Sequence, residues 1–347
     1  MAATQASRIS VLLPFRDAAA TLAEAMASVL DDLDADDELL AIDDGSSDGS
    51  ADVARAIAAR DTRVVLLASG GSAAQAAGIA GALNRGIAAA QGALLGRMDG
   101  DDVSLRGRFA AQRALLASDA SLGAVGVQVE AFPAPAGGMQ RYLAWQNALL
   151  TPADHARAIF VEAPLCHPTA LIRRVALAHV GGFREVAWPQ DYDLWLRLDA
   201  AGFGLAKVPR VLFRWRIHAS SVTWTNPKNA AARFLEARAW FLAQRLRALG
   251  RATSYAVWGA GQTGRRLVRA LEQHDLRPLA FLDIDPAKIG RRARDVVIVP
   301  ASEGIARATS GDWLLVVAVG EAGARDLVRA RLGAAGLVEG TAFVCAA

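Results

Sequence analysis

Three carboxylates stand within four positions in the stretch Gly96-Arg97-Met98-Asp99-Gly100-Asp101-Asp102. They follow Ala93-Leu94-Leu95, an apolar run that reads as a short buried strand. Carboxylates this close repel one another, a cost that a cation or a bound ligand offsets. Oxygen-only donors suit a hard divalent ion such as Mg²⁺ or Mn²⁺, which commonly bridges a carboxylate and a substrate diphosphate. An isolated D-x-D-D is more often an acidic turn in solvent, so its weight comes from what surrounds it. A second carboxylate pair, Asp43-Asp44, closes another apolar run, and Asp191 opens a helical pattern whose dipole favours an anion. Far downstream, Gly259-x-Gly261-x-x-Gly264 follows the strand-like Tyr255–Trp258 and opens a helix, the context in which this pattern cradles a nucleotide. Asp283, at the end of the strand-like 279–282, stands where an acidic residue bonds a ribose.

Something must position these groups, and the chain alternates strand-like and helix-like runs from its start. Ile9–Leu13 reads as a strand ending at Pro14, followed by a helix from Thr21, a candidate N-cap, to Leu30. Leu39–Ile42 is a second strand, 52–59 a helix, Val64–Leu67 a third strand, and 73–91 an Ala-rich helix ending at Gly92. This order argues for a parallel sheet with helices on both faces, whose ligand site lies beyond the carboxyl ends of the strands. Residues 14–17, 43–48 and 99–102 all fall there. The stretch from Ser104 to Ala163 is less regular, with Pro133, Pro135, Gly137 and Gly138, and reads as helices around a variable loop. After Pro164, residues 169–172 and 211–217 are strand-like, while 175–179 and 190–201 are helical. Trp195, at helical spacing from Asp191, belongs to the core.

Residues 226–250 form a long helical stretch with Phe234, Ala237, Phe241, Leu242 and Leu249 close to one face and four arginines around it. Such a helix either lies on an anionic membrane surface or packs between domains, and packing is the commoner use. Beyond it the second set of strands and helices reads as a small Rossmann-like domain. The expected organisation is a first domain over 1–225, a helical linker over 226–250 and a nucleotide-binding domain over 251–347.

With 347 residues, 53% of them hydrophobic and 21% charged, the chain is globular and long enough for two domains. Its net charge of +3 is spread without a single-sign patch, and residues 1–250 carry 25 charges of each sign, which argues against a nucleic-acid partner. Cys166 and Cys345 are far apart and in no metal-ligand spacing, so a reducing compartment is expected. No apolar run approaches the roughly 20 residues needed to span a bilayer, and no signal-peptide pattern opens the chain. The expectation is a cytoplasmic protein, free or peripheral to the inner face of the cell membrane.

Taken in order, Ile9–Pro14, Asp43–Asp48, Leu83-Asn84-Arg85-Gly86-Ile87, Met98–Asp102, His167-Pro168-Thr169, Gly181-Gly182-Phe183, Gln190-Asp191-Tyr192-Asp193-Leu194-Trp195 and Arg214-Trp215-Arg216-Ile217-His218 resemble the family 2 glycosyltransferases. That family consists of inverting nucleotide-sugar transferases with a GT-A fold, an α/β architecture with a mixed sheet flanked by helices. The resemblance implies that Pro14, Phe15 and Asp17 hold the nucleotide base and that Asp43 or Asp44 takes its imino proton, the other closing its own turn. Asn84 would join the nucleotide site, and Asp99 would reach the ribose or a metal-bound water. Asp101 would ligate Mn²⁺ or Mg²⁺, with Asp102 adding a ligand or only shaping the loop. His218 would either complete the metal site or be structural, and His167 is expected to be structural. The base that deprotonates the acceptor would be Asp191. The residue before it is commonly Glu in the family and is Gln190 here, which puts a secondary acceptor or metal role there in doubt.

The implied reaction moves a sugar, with inversion, from a nucleotide-diphospho-sugar, a UDP-sugar foremost, to a glycan or lipid-linked acceptor in cell-surface glycan synthesis. The C-terminal part resembles the nucleotide-binding domains of some sugar-modifying acyltransferases and ordinary dinucleotide domains, with a nucleotide or NAD(P) held by Gly259, Gly261, Gly264 and Asp283. Two alternatives stand beside this: a sugar-modifying or NAD-dependent enzyme with its chemistry in the C-terminal domain, and an inactive nucleotide- or glycan-binding protein.

Overall fold

The computed structural model describes residues 8–68, 77–218, 221, 226–321 and 323–347. It divides into two compact units. One comprises residues 1–155 and 164–226, the other 156–163 and 227–347. The helix Ala231–Ala248, expected as a linker, therefore belongs to the second unit, as does a short piece of the middle region.

The first unit is built on an eight-stranded sheet. Its strands are β1 (Ile9–Phe15), β2 (Glu38–Asp43), β3 (Val64–Leu67), β4 (Leu94–Arg97), β5 (Val103–Ser104), β6 (Leu122–Phe132), β7 (Leu171–Arg173) and β8 (Gly204–Arg216), in the spatial order β3-β2-β1-β4-β7-β6-β8-β5. The strands β1 to β4 run parallel; β7 opposes β4 and β6, and β5 opposes β8, so the sheet is mixed. Every residue of β1 and β2 is buried, which explains their continuous apolar runs: helices cover both faces, leaving no polar face to alternate with. Burying a leucine such as Leu13 or Leu39 contributes roughly 1.5–3 kcal/mol. The parallel half places Phe15 beside Asp43 and Leu12 beside Arg97, so the loops after β1, β2 and β4 open on one edge.

Two strands depart from the expected reading. The strand β6 lies in the region read as helices and loop, yet Val125, Val127 and Val129 are all buried and alternate with Gly126, Gln128 and Glu130. The strand β8 begins at Gly204, ahead of the expected start, because its register against β6 jumps from Val208 to Val211 around Pro209. A proline without an N–H is accommodated at such a bulge.

The second unit carries β9 (Tyr255–Trp258), β10 (Phe281–Asp283), β11 (Arg292–Ala293), β12 (Val296–Pro300), β13 (Leu314–Val317) and β14 (Phe343–Cys345), ordered β11-β12-β10-β9-β13-β14. All but the edge strand β11 are parallel. The helix Ala231–Ala248 buries Ala237, Phe241, Leu242 and Leu246. Leu249, expected on that face, is exposed instead. Among the described residues no helix is long and apolar enough to cross a membrane.

Candidate active site

The loop after β4 is held from several sides. Thr21, at the N-cap position of the helix Leu22–Leu30, does not cap it; its hydroxyl donates to the Gly100 carbonyl at 2.8 Å. From β8, the Arg216 N–H donates to Asp102 Oδ1 at 2.8 Å and its Nε to the Asp101 carbonyl at 2.6 Å. His218 Nε2 lies 2.8 Å from Asp101 Oδ2. Behind the loop, Arg97 is almost wholly buried and its guanidinium pairs with Asp99.

Asp99, Asp101 and Asp102 each bring an oxygen within 4.8 Å of the others, close enough to hold one metal ion. Burial pushes the Asp101 carboxyl up, Asp99 adds to this, and His218 partly offsets it. Asp102 is held well above the usual carboxylate range by burial and by its two acidic neighbours. Its Oδ2 is buried with no hydrogen-bond partner. An orphaned buried oxygen among repelling carboxylates is the state that a hard cation relieves, so this donor set fits Mg²⁺ or Mn²⁺. His218 sits at one edge of the cluster, on Asp101.

Asp191 lies in the first turn of the helix Gln190–Ala200. Burial pushes its carboxyl up and the Tyr192 N–H, at 2.8 Å, pulls it back; Arg97 and Asp99 then act on it with opposite signs. Asp191 is thereby brought into electrostatic reach of the acidic loop. Its position depends on Asp193, which is fully buried and accepts from Arg184, Trp188 and Arg197. Asp193 clamps the approach to the helix. Trp195 is core as expected, with its indole N–H on the Leu165 carbonyl at 3.1 Å. His167 is buried against Phe183 and Trp195, and burial drives its pKa well below the usual value.

Several expected nucleotide contacts are otherwise engaged. Pro14 and Phe15 are buried within β1, so the exposed part of the loop starts at Arg16. Asp17, at φ +50°, accepts the Ser47 N–H at 2.7 Å and ties the first loop to the second. Asn84 exchanges two hydrogen bonds with the backbone of Phe183, at 2.7 and 3.0 Å, which commits its amide to the turn at Gly182. Of the acidic pair, Asp43 closes its own turn on the Ser46 N–H at 2.9 Å. Asp44 accepts from the Ala77 N–H at 3.0 Å and lies 3.8 Å from Arg85.

Arg108 and Gln112, in the region read as helices around a variable loop, are fully buried supports of the site. Arg108 donates to the carbonyls of Arg97 (2.7 Å) and Pro168 (3.0 Å) and bonds Gln112, which reaches Val125 and Thr169. Burial lowers its pKa to about 9, so it is still charged at neutral pH. The only signal in the sequence is an Arg and a Gln one helical turn apart among apolar residues. Because hydrogen bonds to a charged group are worth roughly 1.5–3 kcal/mol each, Arg108→Met should cost about 3 kcal/mol or more in urea unfolding. A loss near zero would show that the two carbonyls find other partners.

Residues 10–181 match the model of glycosyl transferase family 2, a match that ends before the second sheet begins. EpsE of Bacillus subtilis (strain 168), a glycosyltransferase by name, is 28% identical over 213 residues, covering 60% of this chain and 73% of EpsE. AmsE of Erwinia amylovora, by name an amylovoran biosynthesis glycosyltransferase, is 27% identical over 139 residues, 40% of this chain and 50% of AmsE. Among solved structures, S. aureus TarS 1-349 in complex with UDP-GlcNAc superposes with a TM-score of 0.57 at 12% identity, covering 77% of this chain and 72% of TarS 1-349. That likeness is one of fold.

Proposed function

We propose that the first unit, whose residues 10–181 match the model of glycosyl transferase family 2, transfers a sugar, with inversion, from a nucleotide-diphospho-sugar to an acceptor hydroxyl. The observation that carries this reading is the cluster of Asp99, Asp101 and Asp102, each with an oxygen within 4.8 Å of the others, together with the buried, unpartnered Asp102 Oδ2, a donor set suited to a diphosphate-bound cation. In the step, the acceptor O–H gives its proton to the Asp191 carboxylate and its oxygen bonds the anomeric carbon. The bond from that carbon to the diphosphate breaks on the opposite side, and the nucleoside diphosphate leaves with the electron pair. Asp99 and Asp101, with His218 beside Asp101, would hold a divalent ion that supplies Lewis-acid stabilisation of the leaving charge. Asp102, spent on Arg216, shapes the loop and offers its second oxygen. Asp43 or Asp44 would take the base N–H, each having one oxygen on a backbone N–H, of Ser46 and of Ala77, and the second oxygen left for the base.

The name of AmsE, an amylovoran biosynthesis glycosyltransferase, supports a polysaccharide pathway, and the UDP-GlcNAc complex of TarS supports UDP-sugars as the first donors to try. The test is a screen of UDP- and GDP-sugars with Mn²⁺, with or without added glycan acceptors, followed by NMR of the product anomer. Inversion is expected; a product retaining the donor configuration contradicts a single displacement.

A pH profile gives an independent reading of Asp191. A base must be ionised, and its carboxyl is held above the ordinary value of roughly 3.9. Activity at saturating donor should therefore fall on acidification through a pKa above that value. Activity that holds level below pH 4 would remove Asp191 from the role.

A further inference from the structure

A cavity of about 440 Å³ lies wholly within the second unit, lined by the ends of β9 and β10 and the loop after β13. Its five parallel strands run in the order β12-β10-β9-β13-β14, so the strand order reverses between β9 and β13, where open α/β sheets bind ligands. Two glycines of the turn after β9 are there for packing. A Cβ on Gly259, at φ +120°, would sit 2.5 Å from the Ala318 carbonyl oxygen, and one on Gly264 would sit 1.9 Å from that of Gly259. Gly261 is different. Its φ of −77° suits any residue, and no atom lies within 4 Å of where its Cβ would be. The space before Gly261 belongs to the cavity, at the start of the helix Gln262–Glu272, whose first N–H groups have no acceptor within the helix.

The rest of the lining supplies two further kinds of contact. Asp283 ends β10 and is 8% exposed. It accepts from the Asp285 N–H at 3.0 Å, Lys288 Nζ at 3.1 Å and the Ala260 N–H at 3.3 Å. Lys288 neutralises the carboxylate, which removes the repulsion an anionic ligand would otherwise meet. On the same cavity, Ile284 and Leu327 leave 69% and 75% of their surface exposed, an apolar rim unexplained by folding alone.

We propose that this cavity binds a ribonucleoside 5′-diphosphate moiety. The diphosphate lies on the N–H groups at Gly261–Thr263, the ribose hydroxyls meet Asp283, and the base lies against Ile284 and Leu327. The chain then holds two nucleotide sites, one per unit, and the second is a binding site independent of sugar transfer.

The full chain is titrated calorimetrically with UDP, ADP and NAD in EDTA, which also separates a nucleotide-sugar source from a dinucleotide one. At least one of them should bind, and Gly261→Val should weaken it tenfold or more without lowering the ligand-free melting temperature. Asp283→Asn should weaken the same ligand, and Asp101→Asn, in the other unit, should leave it unchanged. Binding of none of the three overturns the proposal. So does binding that Asp101→Asn abolishes and Gly261→Val leaves intact.

Discussion

Asp191→Asn should lower kcat for sugar transfer by about 10²–10⁴-fold, the range a general base supplies, while donor affinity stays within a factor of about three. The asymmetry follows from geometry. The carboxylate lies in the first turn of its helix and is felt by Arg97 and Asp99, but it is not among the three acids that approach one another closely. Asn keeps the size and can still accept the Tyr192 N–H, so the helix start is preserved. Burial already disfavours the charged form, so the variant should be no less stable than the parent. Initial rates at saturating donor, paired with calorimetric donor titration, read both halves. A fall in donor affinity equal to the fall in kcat would make Asp191 part of the donor site and leave the acceptor without a base.

The second large effect is expected at the acidic loop. Asp101→Asn should reduce kcat/KM by about 10²–10³-fold, because it removes an anionic donor from the group proposed to anchor the diphosphate. It should also blunt the response of the rate to Mn²⁺ concentration. The ligand-free protein should melt at the same temperature or higher, since burial and Asp99 both disfavour the Asp101 charge and the amide can still face His218. A loss of activity accompanied by a matching loss of melting temperature would mean that Asp101 serves folding and not the ligand. Asp102→Asn is the useful contrast, because its Oδ1 receives the Arg216 N–H and its main task is to shape the loop.

The parallel half of the first sheet was legible because its strands are buried on both faces and end in loops rich in Asp, Gly and Ser. The same clarity applies to β9 and the glycine turn that follows. Elsewhere the pattern is masked for physical reasons. Glycine at 126 and polar Gln128 and Glu130 interrupt β6, and its alternating valines sit in a neighbourhood dominated by proline and glycine signals. Pro209 hides the first half of β8 because a bulge is invisible until the partner strand is known.

In the site, spacing finds the acids but not what they face. Asp191 and Asp193 are neighbours on one helix, yet Asp191 accepts the Tyr192 N–H while Asp193 sits in a cage of Arg184, Trp188 and Arg197. Asn84 and Asp17 fit a motif for nucleotide contact, and in the fold their side chains hold loops together. Arg97 and Arg108 are buried cations whose purpose appears only when the carbonyls and carboxylates around them are assembled.

The central claim is that Asp99, Asp101 and their neighbours hold a nucleoside diphosphate through a divalent ion. Its most direct measurement is UDP and GDP affinity with Mn²⁺ and with EDTA, in the Gly261→Val background chosen to remove the binding proposed for the second unit. One of the two nucleotides should bind at least tenfold more tightly with Mn²⁺, and Asp101→Asn should abolish that gain. Equal affinity in EDTA, unchanged by Asp101→Asn, would contradict it.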